Sequence, residues 1–122
     1  MTVSADFLAY VLDQLAQLGG VSSRRMFGGV GLYSDELFFA LIADDTLYLR
    51  ADAANRGDYT ARDAAPFRPY PDRPLLSMSY YAAPPEVLED ARQLTEWARR
   101  SVDVAQRAPP PRANRRRARA RR

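Results

Sequence analysis

Apolar residues near the start of the chain recur with the spacing of one face of a helix. The stretch follows Ser4, a residue type that caps helix N-termini, and it stops at Gly19-Gly20. The members of the stripe are Phe7, Leu8, Val11, Leu12, Leu15 and Leu18. This pattern predicts a helix over residues 5–18 whose apolar stripe lies on a sheet.

Residues 22–50 have the pattern of short strands separated by polar turns. Gly28-Gly29, the run Ser34 to Glu36, and Asp44-Asp45 interrupt the apolar segments. The predicted strands are residues 24–27, 30–33, 37–42 and 46–50. Because the turns are so short, we expect these strands to pair as antiparallel hairpins.

The second half of the chain is punctuated by prolines. Asp52 is placed to cap a short helix over about residues 53–61, although Gly57 weakens that prediction. Residues 67–70 are predicted to pair at a sheet edge, where proline is tolerated, and residues 75–81 to form a strand.

A final helix is predicted after Pro84-Pro85, which open a helical region. Asp90 and Gln93 have the spacing of a capping box, and the helix should end near Arg107 because prolines follow. Its predicted inner stripe is Leu94, Trp97, Ala98, Ser101 and Ala105. The order of elements predicts a two-layer α+β fold, with helices on one face of an antiparallel sheet.

Charge divides the chain into two parts. Residues 1–106 hold ten arginines and fifteen acidic residues, net −5, whereas residues 107–122 hold eight arginines and no acid. After Pro109, Pro110 and Pro111 the chain has no apolar side chain larger than alanine, so burial there cannot offset the entropy of ordering. We predict one domain over residues 1–107 and a disordered tail over 108–122.

The absence of histidine and cysteine narrows the chemistry available to this sequence. Nucleophile systems that need either residue are excluded, and a zinc site would need carboxylates alone. Asp44-Asp45 suits a turn better than a catalytic pair, because neighbours on an extended chain point apart. We predict no catalytic residue, no metal and no cofactor. We also predict no membrane span and a cytoplasmic location.

The strand at residues 37–42 is apolar on both faces. Strict alternation places Leu37, Phe39 and Leu41 on one face and Phe38, Ala40 and Ile42 on the other. The second of these faces is the one that Tyr48, Tyr80 or Tyr81 is expected to extend. In a two-layer fold the helices cover only one face of the sheet. The other face is then either an interface or covered by residues 62–74 or the chain termini.

Arg24 and Arg25 stand beside a glycine-rich turn. Together they suit a phosphate or carboxylate, or they are surface charges that pair with the acidic body. The glycines Gly28-Gly29 lie between extended pieces with no helix after them, which indicates a bulge or tight turn rather than a nucleotide loop. The candidate partner-binding residues are Arg24, Arg25, Phe38, Ile42 and Tyr48.

The tail is a candidate for nucleic-acid contact. Arginines bind phosphate without reading sequence, and no aromatic residues are interleaved for base stacking. The alternative is a compositional, solubilising tail. The candidate residues are Arg112, Arg115, Arg116, Arg117, Arg119, Arg121 and Arg122.

The run from Arg25 to Gly29, followed by Gly31-Leu32-Tyr33, resembles the TfoX N-terminal domain family. The resemblance continues through residues 39–42, 47–50, 78–81 and 97–99, and covers about residues 3–105. It implies a two-layer α+β domain similar to secretion-chaperone folds. Named members, TfoX and Sxy, regulate natural competence with the cyclic-AMP receptor protein. They carry a second, C-terminal helical domain where this sequence has its arginine-rich segment.

Residues and resemblance together predict a non-enzymatic regulatory or protein-binding module. Its partner is expected to be a transcription factor or a second copy, with weak nucleic-acid contact through the tail. The alternative is a chaperone-like or structural homodimer with no nucleic-acid role.

Overall fold

The computed structural model describes residues 3–26, 28–67 and 79–108. Within them, five strands form one antiparallel sheet in chain order, so each strand pairs with its sequence neighbour. The strands are β1 Val21–Met26, β2 Gly29–Ser34, β3 Leu37–Ala43, β4 Thr46–Arg50 and β5 Tyr80–Ala82. The helices are α1 Ala5–Gln14, α2 Arg56–Thr60, α3 Pro85–Leu88 and α4 Ala91–Arg107. The predicted α+β class is confirmed.

Two tight hairpin turns set the register of the central strands. Asp35 and Glu36 have φ of 47° and 73°, and Asp44 and Asp45 have φ of 53° and 50°. Consecutive positive φ values are the signature of type I′ turns, whose twist matches that of the flanking strands. The predicted turns at both positions are therefore confirmed.

All the long helices pack on one side of the sheet, which we call the inner face. Helix α4 buries Leu94, Trp97 and Ala98 there, α1 adds Val11, and Leu15 joins them from the turn directly after α1. The strand residues in the same core are Val30, Leu32, Phe39, Ala40, Ile42, Leu47 and Leu49. The core is thus a single layer between helices and sheet, as predicted.

A β-bulge in β3 decides which apolar residues reach this core. Leu32 pairs with Ala40 but Tyr33 pairs with Phe38, so Phe39 is an extra residue on β3. Phe39, Ala40 and Ile42 are all completely buried. The prediction that Ile42 and Ala40 share a face with Phe38 is therefore wrong, because the bulge breaks the strict alternation on which it rested.

The first helix is shorter than predicted and the first strand is longer. Helix α1 ends at Gln14, and hydrogen bonds three residues apart, such as Leu18 N to Leu15 O, tighten the chain beyond it. Gly19 and Gly20, at φ of 80° and 64°, then turn the chain into β1. Strand β1 starts at Val21 rather than at residue 24. Its first part was not predicted because residues 22–25 are exposed at the sheet edge and are polar, so they show no alternation of apolar and polar positions.

The caps of α2 and α4 lie close to their predicted positions. The Asp52 carboxylate accepts from Ala54 N, in the turn before α2, whereas Asn55 is the residue at the N-cap. Asp90 caps α4 through Arg92 N and Gln93 N, as predicted, and the hydrogen bond from the Gln93 amide holds the pKa of Asp90 below its usual range.

The inner stripe of α4 differs from its prediction at one position. Val104 and not Ala105 is buried, and Thr95 joins the stripe with its hydroxyl bonded to Ala91 O. Of the predicted strand at 75–81, Tyr80 and Tyr81 lie in β5, which continues to Ala82. Residues 68–70 and 75–78 of the predicted strands, and the tail beyond residue 108, lie outside the described residues.

Truncation of Trp97 tests the predicted inner face of α4. The indole is 7% exposed and meets Tyr59 edge-on, with ring centroids 4.9 Å apart. We expect Trp97→Ala to lower the free energy of unfolding by about 3–5 kcal/mol, the range for a buried large aromatic residue. Urea denaturation measures it, and a loss under about 1 kcal/mol would contradict the assigned packing.

Tyr59 supplies a second test of the core, because its hydroxyl is buried with no hydrogen-bond partner among the described residues. Burial raises the pKa of Tyr59. The nearby Ser101 hydroxyl opposes that shift, but it donates its own proton to Arg50 O at 2.8 Å. We expect Tyr59→Phe to leave stability unchanged or to raise it by up to about 1 kcal/mol. Urea denaturation measures the effect. If the substitution lowered the free energy of unfolding by well over about 1 kcal/mol, the hydroxyl would be hydrogen-bonded in solution.

Candidate protein-binding face

The side of the sheet opposite the helices carries a patch of aromatic and arginine side chains, which we call the outer face. Residues that pair across neighbouring strands have their side chains on the same face of the sheet. The pairs that identify this face are Arg24–Gly31, Leu41–Tyr48 and Arg50–Tyr80. The outer face consists of Arg24, Met26, Tyr33, Phe38, Leu41, Tyr48, Arg50 and Tyr80. Most of these side chains are half-buried, Arg24 is exposed and Tyr80 is buried.

Aromatic contacts give this face a fixed shape. The Phe38 ring lies between those of Tyr33 and Tyr80, at centroid distances of 5.2 Å and 5.7 Å. Phe38 and Met26 also close over Gly31, where an added Cβ would lie 3.0 Å from Phe38 Cε1 and 2.7 Å from Met26 Cε. A side chain at position 31 would therefore require the flexible end of Met26 to move, and it would press against the Phe38 ring.

The β3 bulge also positions Arg50. The β3–β4 ladder ends at the Ala40–Leu49 pair, so Phe38 lies beyond it, and its carbonyl oxygen accepts from Arg50 Nη1 at 3.0 Å. The guanidinium carbon of Arg50 lies 5.8 Å from the Tyr80 ring centroid. Arg50 therefore satisfies a backbone acceptor at the bulge and places a positive charge on the outer face.

Burial of Tyr80 does not change the charge of the outer face near neutral pH. Desolvation raises the pKa of Tyr80 to about 12, against the opposing charge of Arg50. The phenol is therefore neutral throughout the physiological range, and it acts as a hydrogen-bonding and packing group.

The two neighbouring arginines of β1 lie on opposite faces of the sheet. Arg24 is on the outer face, where its guanidinium carbon lies 4.8 Å from the Tyr33 ring centroid. Arg25 pairs with Val30 and so lies on the inner side, at the exposed margin of the core. The predicted pairing of both with the acidic body is absent among the described residues, because neither has a salt bridge there.

The structure brings together three of the five candidate partner-binding residues, namely Arg24, Phe38 and Tyr48. Arg25 lies on the inner side of the sheet, away from the outer face. Ile42 is buried in the core, so it is removed from the candidate site. Met26, Tyr33, Leu41 and Arg50 also lie on the outer face and were not among the candidates. The bulge hides the position of Leu41 relative to Phe38, whereas alternation from Tyr48 could have indicated Arg50. Tyr80 belongs to it as expected, whereas Tyr81 pairs with Leu49 and stacks on Tyr59 in the core.

Part of the chain itself covers one end of the outer face. Phe67 N donates to Tyr80 O, and the Phe67 ring lies 5.0 Å from that of Tyr48. Of the predicted covering loop at 62–74, residues 62–67 are described. Tyr33, Phe38 and Leu41 remain partly accessible.

The described ranges contain no group of three or more acidic, histidine or cysteine residues that could hold a metal ion. No helix in the same ranges is long and apolar enough to cross a membrane. Among the described residues, the outer face offers aromatic rings and the guanidinium groups of Arg24 and Arg50.

The model for the TfoX N-terminal domain matches this sequence from residue 13 to residue 105. The chain belongs to the TfoX N-terminal domain family. A curated relative, DNA transformation protein TfoX1 of Aliivibrio fischeri (strain ATCC 700601 / ES114), is 47% identical over 34 residues. That match covers 28% of this chain and 16% of the relative. The matched region of the TfoX domain contains the outer face from Arg24 to Tyr80.

Substitution of Phe38 tests whether the outer face of this TfoX domain mediates association. We expect Phe38→Glu to abolish self-association or partner binding there, because a carboxylate would enter the aromatic patch. The fold should persist, since Phe38 is only half-buried. Tyr10→Glu on α1, where Tyr10 is 40% exposed, is the matched control.

Light scattering after gel filtration measures self-association, and circular dichroism checks the fold. Equal behaviour of the Phe38 and Tyr10 variants in every association assay would contradict a role for the outer face.

Proposed function

We propose that this chain is a non-enzymatic regulatory module that binds a protein partner through the outer face. The observation that carries the proposal is the patch of partly accessible aromatic side chains between two arginines, on a sheet face that none of the described helices covers. Membership of the TfoX family supports it, because that family suggests a competence-related regulatory domain. A transcription-associated partner fits this role.

The composition of the outer face favours protein recognition. Aromatic residues and arginine are enriched among residues that contribute most to protein–protein affinity. Arg24 rests on Tyr33 and Arg50 is tied to Phe38 O, so both guanidinium groups are largely ordered before a partner arrives. Ordering in advance reduces the entropy lost on binding.

In this proposal the arginine-rich segment, residues 107–122, makes a second contact, with nucleic acid. Arg107, its first arginine, makes a bidentate ion pair with Asp52, at 3.2 Å and 3.0 Å from Nη2. Exposed pairs of this kind contribute only about 0–1 kcal/mol, and salt screens charges beyond about 8 Å. A nucleic acid offers the seven later arginines a denser line of charge and releases counterions.

Affinity capture from the native cell tests the proposed function. The baits are the full chain, the Phe38→Glu variant, the Tyr10→Glu control, and a chain without residues 108–122. We expect specific proteins to be retained by the full chain, the control and the truncated chain, and lost with Phe38→Glu. If Phe38→Glu abolishes self-association and no heterologous protein depends on it, the structural homodimer is the correct function. Retention of every partner by Phe38→Glu would contradict the proposed face.

The tail prediction has its own measurement. We expect weak, sequence-independent binding to DNA or RNA that is confined to residues 108–122. If about five arginines contact phosphates, log K should fall against log salt with a slope of about −3.5 to −4.5. Fluorescence anisotropy with a labelled duplex across a salt series measures this slope. Equal binding by the full-length and truncated proteins would contradict the tail's role and direct attention to Arg24 and Arg25.

A further inference from the structure

Among the described strands, β1 is an edge of the sheet. The alternation of hydrogen bonds with β2 determines which backbone groups of β1 point away from the sheet. The Asp35 N–H donates to Gly20 O at 3.1 Å, so this is a hydrogen-bonded pair of the β1–β2 ladder. Pairing between β1 and β2 is regular, and hydrogen-bonded pairs alternate in antiparallel ladders. Ser22, Arg24 and Met26 therefore bond to β2, whereas the N–H and C=O groups of Val21, Ser23 and Arg25 point away from the sheet.

These outward groups have no hydrogen-bond partner in the described part of the chain. The strand is accessible as well, since residues 22–25 are all exposed. An edge of this kind is a template for a further strand unless charge or shape prevents pairing. The side chains along β1 therefore decide which segment it can accept.

Arg24 and Arg25 place one positive charge on each side of this edge. Side chains alternate along a strand, so an added strand would have Arg24 on its outer-face side and Arg25 on its inner-face side. Neither guanidinium makes a salt bridge with a described residue, although the chain up to residue 106 carries net −5. Two adjacent acidic residues on an incoming strand would also alternate, and would meet both arginines.

We propose that the β1 edge binds an extended segment of a partner protein that carries two adjacent acidic residues, as a sixth strand of the sheet. Main-chain hydrogen bonds to Val21, Ser23 and Arg25 hold the segment, and the acidic pair sets its register against Arg24 and Arg25. This inference rests on the proposed protein-binding function and locates a second contact for the partner beside the outer face.

A second copy of this chain is the less suitable occupant. Pairing two β1 edges about a two-fold axis brings four arginines and no acid into one short ladder. Like charges close together across strands are destabilising, and natural proteins use charged edge residues to prevent such self-pairing. The same arginines favour an acidic segment, so they discriminate between the two occupants.

The test uses the full chain and two capped heptapeptides of valine and threonine, one with a central Glu-Glu pair and one with Lys-Lys. We expect the acidic peptide to bind about tenfold or more tightly than the basic one at low salt. The acidic peptide would gain two exposed ion pairs with Arg24 and Arg25, whereas the basic peptide would meet two like charges there. The double variant R24E/R25E should reverse the preference. The matched variant R92E/R99E, with the same change in net charge on exposed positions of α4, should keep it.

Amide hydrogen exchange by nuclear magnetic resonance gives the signature of strand addition. On binding the acidic peptide, the amides of Val21, Ser23 and Arg25 should become protected, whereas those of Ser22 and Arg24 are already protected by β2. Binding without new protection at these three amides, an unchanged preference in R24E/R25E, or failure of the acidic peptide to bind would overturn the edge inference. Such a result leaves the outer-face proposal standing, because that proposal fails only if Phe38→Glu retains every partner.

Discussion

The β-bulge at Phe39 is the constraint on which the rest of this structure depends. β3 is apolar along its whole length, so without an irregularity it would divide its large side chains equally between two faces. The extra residue sends Phe39, Ala40 and Ile42 to the helices and leaves Phe38 and Leu41 on the other side. The Phe38 carbonyl beside the bulge lies beyond the last β3–β4 pair, and Arg50 bonds to it. One inserted residue thus completes the core and shapes the outer face.

The fold leaves two surfaces available, and Arg24 belongs to both. On the outer face it rests on Tyr33, at the end of the aromatic row formed with Phe38 and Tyr80. At the β1 edge it stands one residue from Arg25 and beside outward-facing backbone groups. A partner that engages the aromatic row and adds a strand would make one continuous contact across this corner. That arrangement is our proposal for how this domain recognises its partner.

Local patterns predicted the elements of this fold better than they predicted its faces. The Ser4 and Asp90 caps, both hairpin turns and the buried position of Trp97 depend on short-range chemistry, and each was predictable. The bulge was not, because no glycine or other residue type near Phe39 signals it in this sequence. For this reason Ile42 was assigned to the face of Phe38, and Leu41 was missing from the candidate site. Edge strand β1 was under-predicted for a related reason, since Ser22 and Ser23 bury nothing.

Thiol labelling of single-cysteine variants tests the bulge-defined outer face most directly, because the natural chain has no cysteine that would react. The variants are Leu41→Cys and Ile42→Cys, at adjacent positions of β3, with labelling rates compared in the native and the urea-unfolded protein. The structure predicts that the thiol at position 41 reacts in the native state, whereas the thiol at position 42 reacts only on unfolding. The reverse order would place Ile42 on the outer face with Phe38, and would contradict both the bulge and the site built on it.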